Sequence, residues 1–206
     1  MGVVTVSASY GAGGSEIAPA VAAALSVPFV DRAVPAGVAR KLDIPLQEAE
    51  RLDETVDTGL WRVISSMALV PDLASAGPLA YHTFSDERAF RDKTEEVLHE
   101  IAATGGVVLG RAAALVLADL PGALHVRLDG PEQRRVAQVV RRTGEAEAEV
   151  RRALRANDAA RAAYVRHFYR CDATQARHYH LVIDTTAIPW DTATDLVVTA
   201  ARARGV

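Results

Sequence analysis

The stretch "VTVSASYGAGGSEIAPAVAAAL", residues 4–25, constrains this chain more than any other. A β-branched apolar run (Val3–Ser7) breaks into glycines, and apolar residues then recur at helical spacing with Ile17, Val21, Ala24 and Leu25 on one side. That order reads as a buried strand, a tight loop and a helix over Ser15–Leu25. Loops of this kind present backbone amides and a helix N-terminus to anionic ligands.

Two ligand chemistries use glycines at such a junction. A dinucleotide loop follows G-x-G-x-x-G, with an acid about 20 residues further on. Gly11, Gly13 and Asp31 fit that spacing, but Glu16 stands where the third glycine belongs, so a glutamate is expected to crowd the helix–strand contact. A phosphate loop follows G-x-x-x-x-G-K-[ST]. Aligned on its end, Gly13 and Ser15 match, while Ala8 replaces the first glycine and Gly14 replaces the lysine. Gly11, Ala12, Gly13, Gly14 and Ser15 are then the phosphate-binding candidates, with the Ser15 hydroxyl a candidate Mg²⁺ ligand. A tight strand–helix turn capped by Ser15 is the structural alternative.

The rest of the chain repeats the pattern. "VPFVD" (27–31), "GGVVLG" (105–110), "ALHVRLD" (123–129) and "YHLVIDT" (179–185) read as four further short strands. Helical segments separate them: "AAALVLADL", the run entered at Pro131, a long charged run over Glu145–Tyr169 after Gly144, and Trp190–Arg202. Residues from Ala33 to about His99 read as mostly helical, interrupted by Pro45, Pro71 and Pro78. Strands alternating with helices predict an α/β fold with a parallel sheet, whose ligand lies beyond the carboxyl ends of the strands. The glycines, Asp31, Gly110–Arg111 and Asp129 all fall at such ends.

Composition narrows the function classes. The 206 residues carry a net charge of −3, which argues against a nucleic-acid partner. No apolar run approaches the ~18 residues of a membrane span. Cys171 is the sole cysteine, and the six histidines have no metal-ligand spacing with a cysteine pair. With no secretory signature at the first residues, a soluble cytoplasmic protein is expected.

One helical face carries a polar interruption. Val150, Leu154, Asn157, Arg161, Tyr164 and Phe168 share a stripe, apolar at its ends and polar in its middle. An unpaired arginine is costly in a buried stripe, so Arg161, with Arg155 and Arg166, is a candidate for gripping an anion. Asp158 is placed to pair with Arg161 at i,i+3.

Taken in order, "SASYGAGGSEIA", "VPFVDR", "VVLGRAA", "NDAARAAYVRHF" and "YHLVIDTT" resemble the cytidylate kinase-like family of P-loop nucleoside monophosphate kinases, over nearly the whole chain. The resemblance implies a P-loop NTPase-type three-layer α/β/α fold with a five-stranded parallel sheet. Its core would comprise residues 1–32, 100–142 and 178–206, with a helical acceptor-binding insert at about 33–99 and a lid at about 143–177. It implies transfer of the γ-phosphoryl of ATP to CMP or dCMP with Mg²⁺. Arg161, Asp31 and Arg155 would be catalytic, Asp31 also serving the metal with Ser15. Arg111, Arg32, Asp158 and Arg166 would bind the acceptor. Two departures stand out: Gly14 for the loop lysine, and Leu109 for an acid before the strand-three "GR". Other readings are a non-catalytic nucleotide-binding switch, a kinase for a sugar or a shikimate-like acid, and a dinucleotide-dependent oxidoreductase.

Overall fold

The computed structural model describes residues 2–31, 87–110 and 112–206. Five strands form one sheet: β1 (Val3–Ala8), β2 (Phe29–Asp31), β3 (Gly106–Leu109), β4 (Leu124–Asp129) and β5 (Leu181–Asp184). Their order is β2-β3-β1-β4-β5, and every pairing is parallel. The helices are α1 (Gly14–Leu25), α2 (Glu87–Thr104), α3 (Ala113–Val116), α4 (Glu132–Thr143), α5 (Glu147–Tyr169) and α6 (Trp190–Ala203). The chain leaves β1 toward one edge and crosses back over it after β3, so a crevice opens above the carboxyl end of β1.

Strand alternation divides the core into two layers. Val4, Val6, Val107, Leu109, Leu124, Val126 and Leu128 pack with Ile17, Val21, Val197 and Ala201 of α1 and α6. On the opposite face Val3 and Val108 pack with Leu98 of α2 and Leu117. Each such aliphatic side chain, fully buried, contributes about 1.5–3 kcal/mol. The three-layer architecture follows.

The second face also buries Thr5, Ser7, His125 and Arg127, which a reading of continuously apolar strands does not anticipate. These polar groups satisfy one another. Thr5 Oγ1 lies 2.8 Å from His125 Nδ1, and His125 Nε2 lies 3.1 Å from the Leu117 carbonyl. A carbonyl only accepts, so Nε2 carries the proton and Nδ1 accepts from Thr5.

The charged helical run begins at Glu147, because Gly144 ends α4 in a left-handed turn at φ 74°. The expected insert at about 33–99 lies mostly outside the described residues, which resume with α2. Among the described residues no helix is long and apolar enough to cross a membrane.

Candidate active site

The loop between β1 and α1 is held by its carbonyl groups. Arg161 Nη1 donates to the Ala8 carbonyl at 2.9 Å, and the Ala12 amide donates to that of Ser9 at 3.1 Å. Arg135 Nη1 donates to the Tyr10 carbonyl at 2.7 Å, and Gln138 Nε2 to that of Gly11 at 2.8 Å. Thr185 Oγ1 donates to the Ala12 carbonyl at 2.9 Å. The amides are treated differently. Ser9 N donates to the Leu128 carbonyl and Tyr10 N to Asp158 Oδ1 at 3.0 Å. Those of Gly11, Gly13, Gly14 and Ser15 donate to no described residue. Gly11 and Gly13, at φ 77° and 74°, supply the left-handed conformations that turn the amides toward the mouth of α1. Donors left over at a helix N-terminus favour an anion.

Side-chain space explains the glycines. A Cβ on Gly13 would lie 2.5 Å from the Trp190 ring, and one on Gly14 would lie 2.4 Å from the Ala8 Cβ. Glu16 does not crowd the helix–strand contact, contrary to expectation. It is exposed and ion-paired to Arg142, whose guanidinium stacks 4.0 Å over Trp190. The residue that closes on the strand is Gly14, two positions earlier. Ser15 is exposed beside the free amides, and its hydroxyl bonds to no described residue.

Helix α5 lies against α4 through Val150, Leu154 and Val136, with Tyr10 packed beside them. Of the polar interruption in its stripe, Arg161 is the member that meets the loop. Asn157 Nδ2 donates to the Ala153 carbonyl within the helix, while Arg161 reaches the end of β1. Asp158 is engaged elsewhere than the i,i+3 pairing anticipates: Oδ2 meets Arg135 Nη1 at 2.8 Å and Oδ1 takes the Tyr10 amide. Arg155 is turned to Glu132 at 2.9 Å on the exposed side, and Arg166 is exposed further along the helix. The structure thus sets Asp158 on Tyr10 and Arg161 on Ala8, where β1 runs into the glycine loop, and leaves Arg155 with Glu132. Asp31 ends β2 opposite Leu109, but its side chain, like Arg32 and Arg111, lies outside the described residues.

Several residues at the site escaped the sequence reading. Arg127 is 6% exposed and sits beneath the loop. Its Nη2 donates to Asp129 Oδ2 at 2.7 Å and to Ser9 Oγ at 3.1 Å, and its Nη1 to the Ala173 carbonyl at 3.2 Å. Burial disfavours the charge on both partners, but their mutual attraction outweighs it. The Asp129 carboxyl falls below the usual range and the Arg127 guanidinium rises above its own. The available signal was "VRLD": two charges at i and i+2 on one face of an otherwise apolar strand. Arg135, Gln138 and Thr185, which hold loop carbonyls, had no comparable signal.

The Mg²⁺ that the sequence resemblance implies would ask little of the protein, since that ion keeps waters and takes phosphate oxygens. Among the described residues no group of three or more His, Cys, Asp or Glu could hold a metal. Ser15, with its hydroxyl beside the free amides, fits an ion carried in on phosphates.

A family profile described as "Cytidylate kinase-like family" matches residues 3–187, spanning the loop, the sheet and α5. The chain belongs to the cytidylate kinase-like family. Among solved structures, this family member is similar to an uncharacterized protein from Eubacterium ventriosum ATCC 27560, at 17% identity and TM-score 0.64 over 98% of this chain and 99% of that one. It is also similar to a gluconokinase from Sinorhizobium meliloti 1021, at 16% identity and TM-score 0.50 over 98% and 92%. These likenesses show the fold. A stretch of 127 residues is 32% identical to part of a uronate isomerase from Corynebacterium glutamicum, covering 62% of this chain and 24% of that protein. The chain therefore matches about a quarter of that relative's length.

Proposed function

We propose that this protein is a phosphotransferase that passes the γ-phosphoryl of ATP to a small acceptor, CMP or dCMP. The supporting observation is the loop itself. Its carbonyls are fastened by Arg161, Arg135, Gln138 and Thr185, and its amides at Gly11, Gly13, Gly14 and Ser15 remain for phosphate oxygens. Phosphoryl transfer requires alignment and charge stabilisation more than covalent chemistry, and a fastened loop supplies the alignment.

In this reading the amides of Gly11, Gly13, Gly14 and Ser15 hold the donor phosphates, and Arg161 neutralises charge that develops during transfer. Ser15 would help hold a Mg²⁺ ion carried in on the nucleotide, and that ion would supply charge screening for the phosphates. Asp31, which ends β2, receives the acceptor together with Arg32 and Arg111. Asp158 acts through Arg135 and Tyr10 to keep α5 against the loop, and Arg155 and Arg166 extend the basic surface of that helix.

The test is a coupled ADP-release assay with ATP and Mg²⁺ across the common nucleoside monophosphates, with CMP and dCMP giving the strongest stimulation. No stimulation by any of them overturns the nucleotide acceptor. A second acceptor class, a hydroxylated sugar acid, is favoured by the identity shared with the uronate isomerase. Uronates and aldonates in the same screen separate the two.

A further inference from the structure

The three positions at which this loop departs from the phosphate-loop pattern are one contact. Phosphate loops of the G-x-x-x-x-G-K-[ST] type carry no side chain at their first position and a lysine before the helix serine, and an acid from a neighbouring strand attends the metal. Here the first position is Ala8, the lysine position is Gly14, and the end of the adjoining strand β3 is Leu109. A Cβ on Gly14 would lie 2.4 Å from the Ala8 Cβ and 3.3 Å from the Leu109 Cδ1. The methyl on Ala8 thus occupies the space a side chain on residue 14 needs. Both Cβ atoms are fixed to backbone, so neither can swing aside. A cation and an anion are absent together, and an apolar floor stands in their place.

A triphosphate arriving at such a loop still requires a counter-charge. Helix α5 offers one. Arg161 Nη1 donates to the carbonyl of Ala8, the residue whose methyl excludes the lysine. Building on the phosphotransferase reading above, we propose that Arg161 supplies from α5 the cation that other loops carry before the helix serine. The Ala8–Gly14–Leu109 contact commits the chain to that arrangement. Donor affinity then depends on the position of α5, because the loop carries no cation of its own. A loop with its own lysine holds phosphate whether or not a second segment is in place.

Titration calorimetry with inorganic tripolyphosphate and Mg²⁺ tests this without reference to base or acceptor, with thermal melts run alongside. Arg161→Ala is expected to weaken binding by about ten- to a hundredfold, the range for a lost hydrogen bond to a charged group. Moving the charge back into the loop, as Ala8→Gly/Gly14→Lys/Arg161→Ala, regains most of that loss. Gly14→Lys alone melts lower than the wild type, and adding Ala8→Gly recovers the melt. Wild-type affinity in Arg161→Ala overturns the proposal while leaving the phosphotransferase reading intact. So does a triple variant that melts normally and binds no better than Arg161→Ala. Should the triple variant melt low, methylguanidinium added to Arg161→Ala supplies the missing cation, and failure to regain binding overturns the proposal. A wild type that binds neither tripolyphosphate nor ATP overturns the phosphotransferase reading and this inference with it.

Discussion

Arg135 and Asp158, twenty-three residues apart on α4 and α5, meet at 2.8 Å directly behind the Tyr10 peptide. The same guanidinium nitrogen donates to the Tyr10 carbonyl, and the same carboxylate accepts the Tyr10 amide. One residue of the loop is therefore gripped at both its amide and its carbonyl by a single ion pair. The Arg135 side chain is 9% exposed and that of Asp158 28%, so solvent screens the pair weakly.

Asp158→Ala removes one half of that grip. Arg135 keeps its bonds to the Tyr10 and Gly130 carbonyls, but its charge loses its closest anion; Asp129 Oδ1 remains 3.8 Å away. The expected cost is about 2–3 kcal/mol, below the full penalty for breaking a buried pair. For a chain of this size that lowers the melting temperature by roughly 5–10 °C. A melt within 1 or 2 degrees of wild type, on the order of a surface substitution, would count against the grip.

Arg127 makes a sharper case, because it joins three segments. It bonds Ser9 of the loop, Asp129 of β4 and the Ala173 carbonyl beyond α5, where Tyr179 Oη donates as well at 2.7 Å. Arg127→Leu keeps the volume and deletes the charge. Asp129 then retains the penalty of burial without its main compensation, and its carboxyl pKa rises. In the wild type that depressed pKa stabilises the fold above the carboxyl's ordinary value, and the gain is lost as pH falls through the folded value. Removing Arg127 abolishes this contribution. Carboxyl titration by NMR is expected to show Asp129 moving upward; an unmoved Asp129 refutes the pairing.

Sequence periodicity carried the scaffold further than the site. β1, α1, β4 and α5 are legible because each has one apolar face repeating at the period of its element. Arg161 was legible for a related reason, as a charge in a stripe whose neighbours Val150 and Leu154 are buried. The carbonyl-holding residues were not. Arg135 and Gln138 within α4 and Thr185 just past β5 are polar residues for which sequence alone offers solvent as an equally good partner. Their roles arise from three segments converging on one loop, a property of topology. The Ala8–Gly14–Leu109 contact was visible only as separate departures from a pattern, because residues 14 and 109 adjoin only once β3 lies beside β1.

Ser15→Ala tests the mouth of α1. The hydroxyl is exposed and bonds to no described residue, so its removal leaves the loop's own hydrogen bonds intact. Stability is expected to stay within about 0.5 kcal/mol of wild type, as for a surface change. The Mg²⁺ concentration needed for half-maximal ATP binding or turnover is expected to rise. An unchanged metal response, measured by calorimetry at graded Mg²⁺, removes Ser15 from the metal site.

His125 predicts how the fold responds to acid. Its ring is buried on the polar face of β4 and stacks on His180 at 4.9 Å; the His125 amide donates to His180 Nδ1 at 2.9 Å. Burial, then the neighbouring His180, lowers the His125 pKa from 6.5 to about 4, against the opposing pull of the Leu117 carbonyl, while Arg204 lowers it further. His180 is lowered as well, chiefly by burial and then by Arg204. A lowered histidine pKa means that protons bind the unfolded chain more readily. The stabilisation is therefore complete above about pH 6.5 and is withdrawn as pH falls toward 4. The slope approaches about 1.4 kcal/mol per pH unit for one such group, or up to about 3 kcal/mol across the window. His125→Gln keeps a polar side chain that does not titrate. Urea unfolding at pH 7 and pH 4.5 is expected to show a less stable variant at pH 7 with a smaller loss on acidification. Parallel losses in the two proteins would place the acid sensitivity elsewhere, because the only difference between them is the ring that must stay neutral to accept from Thr5.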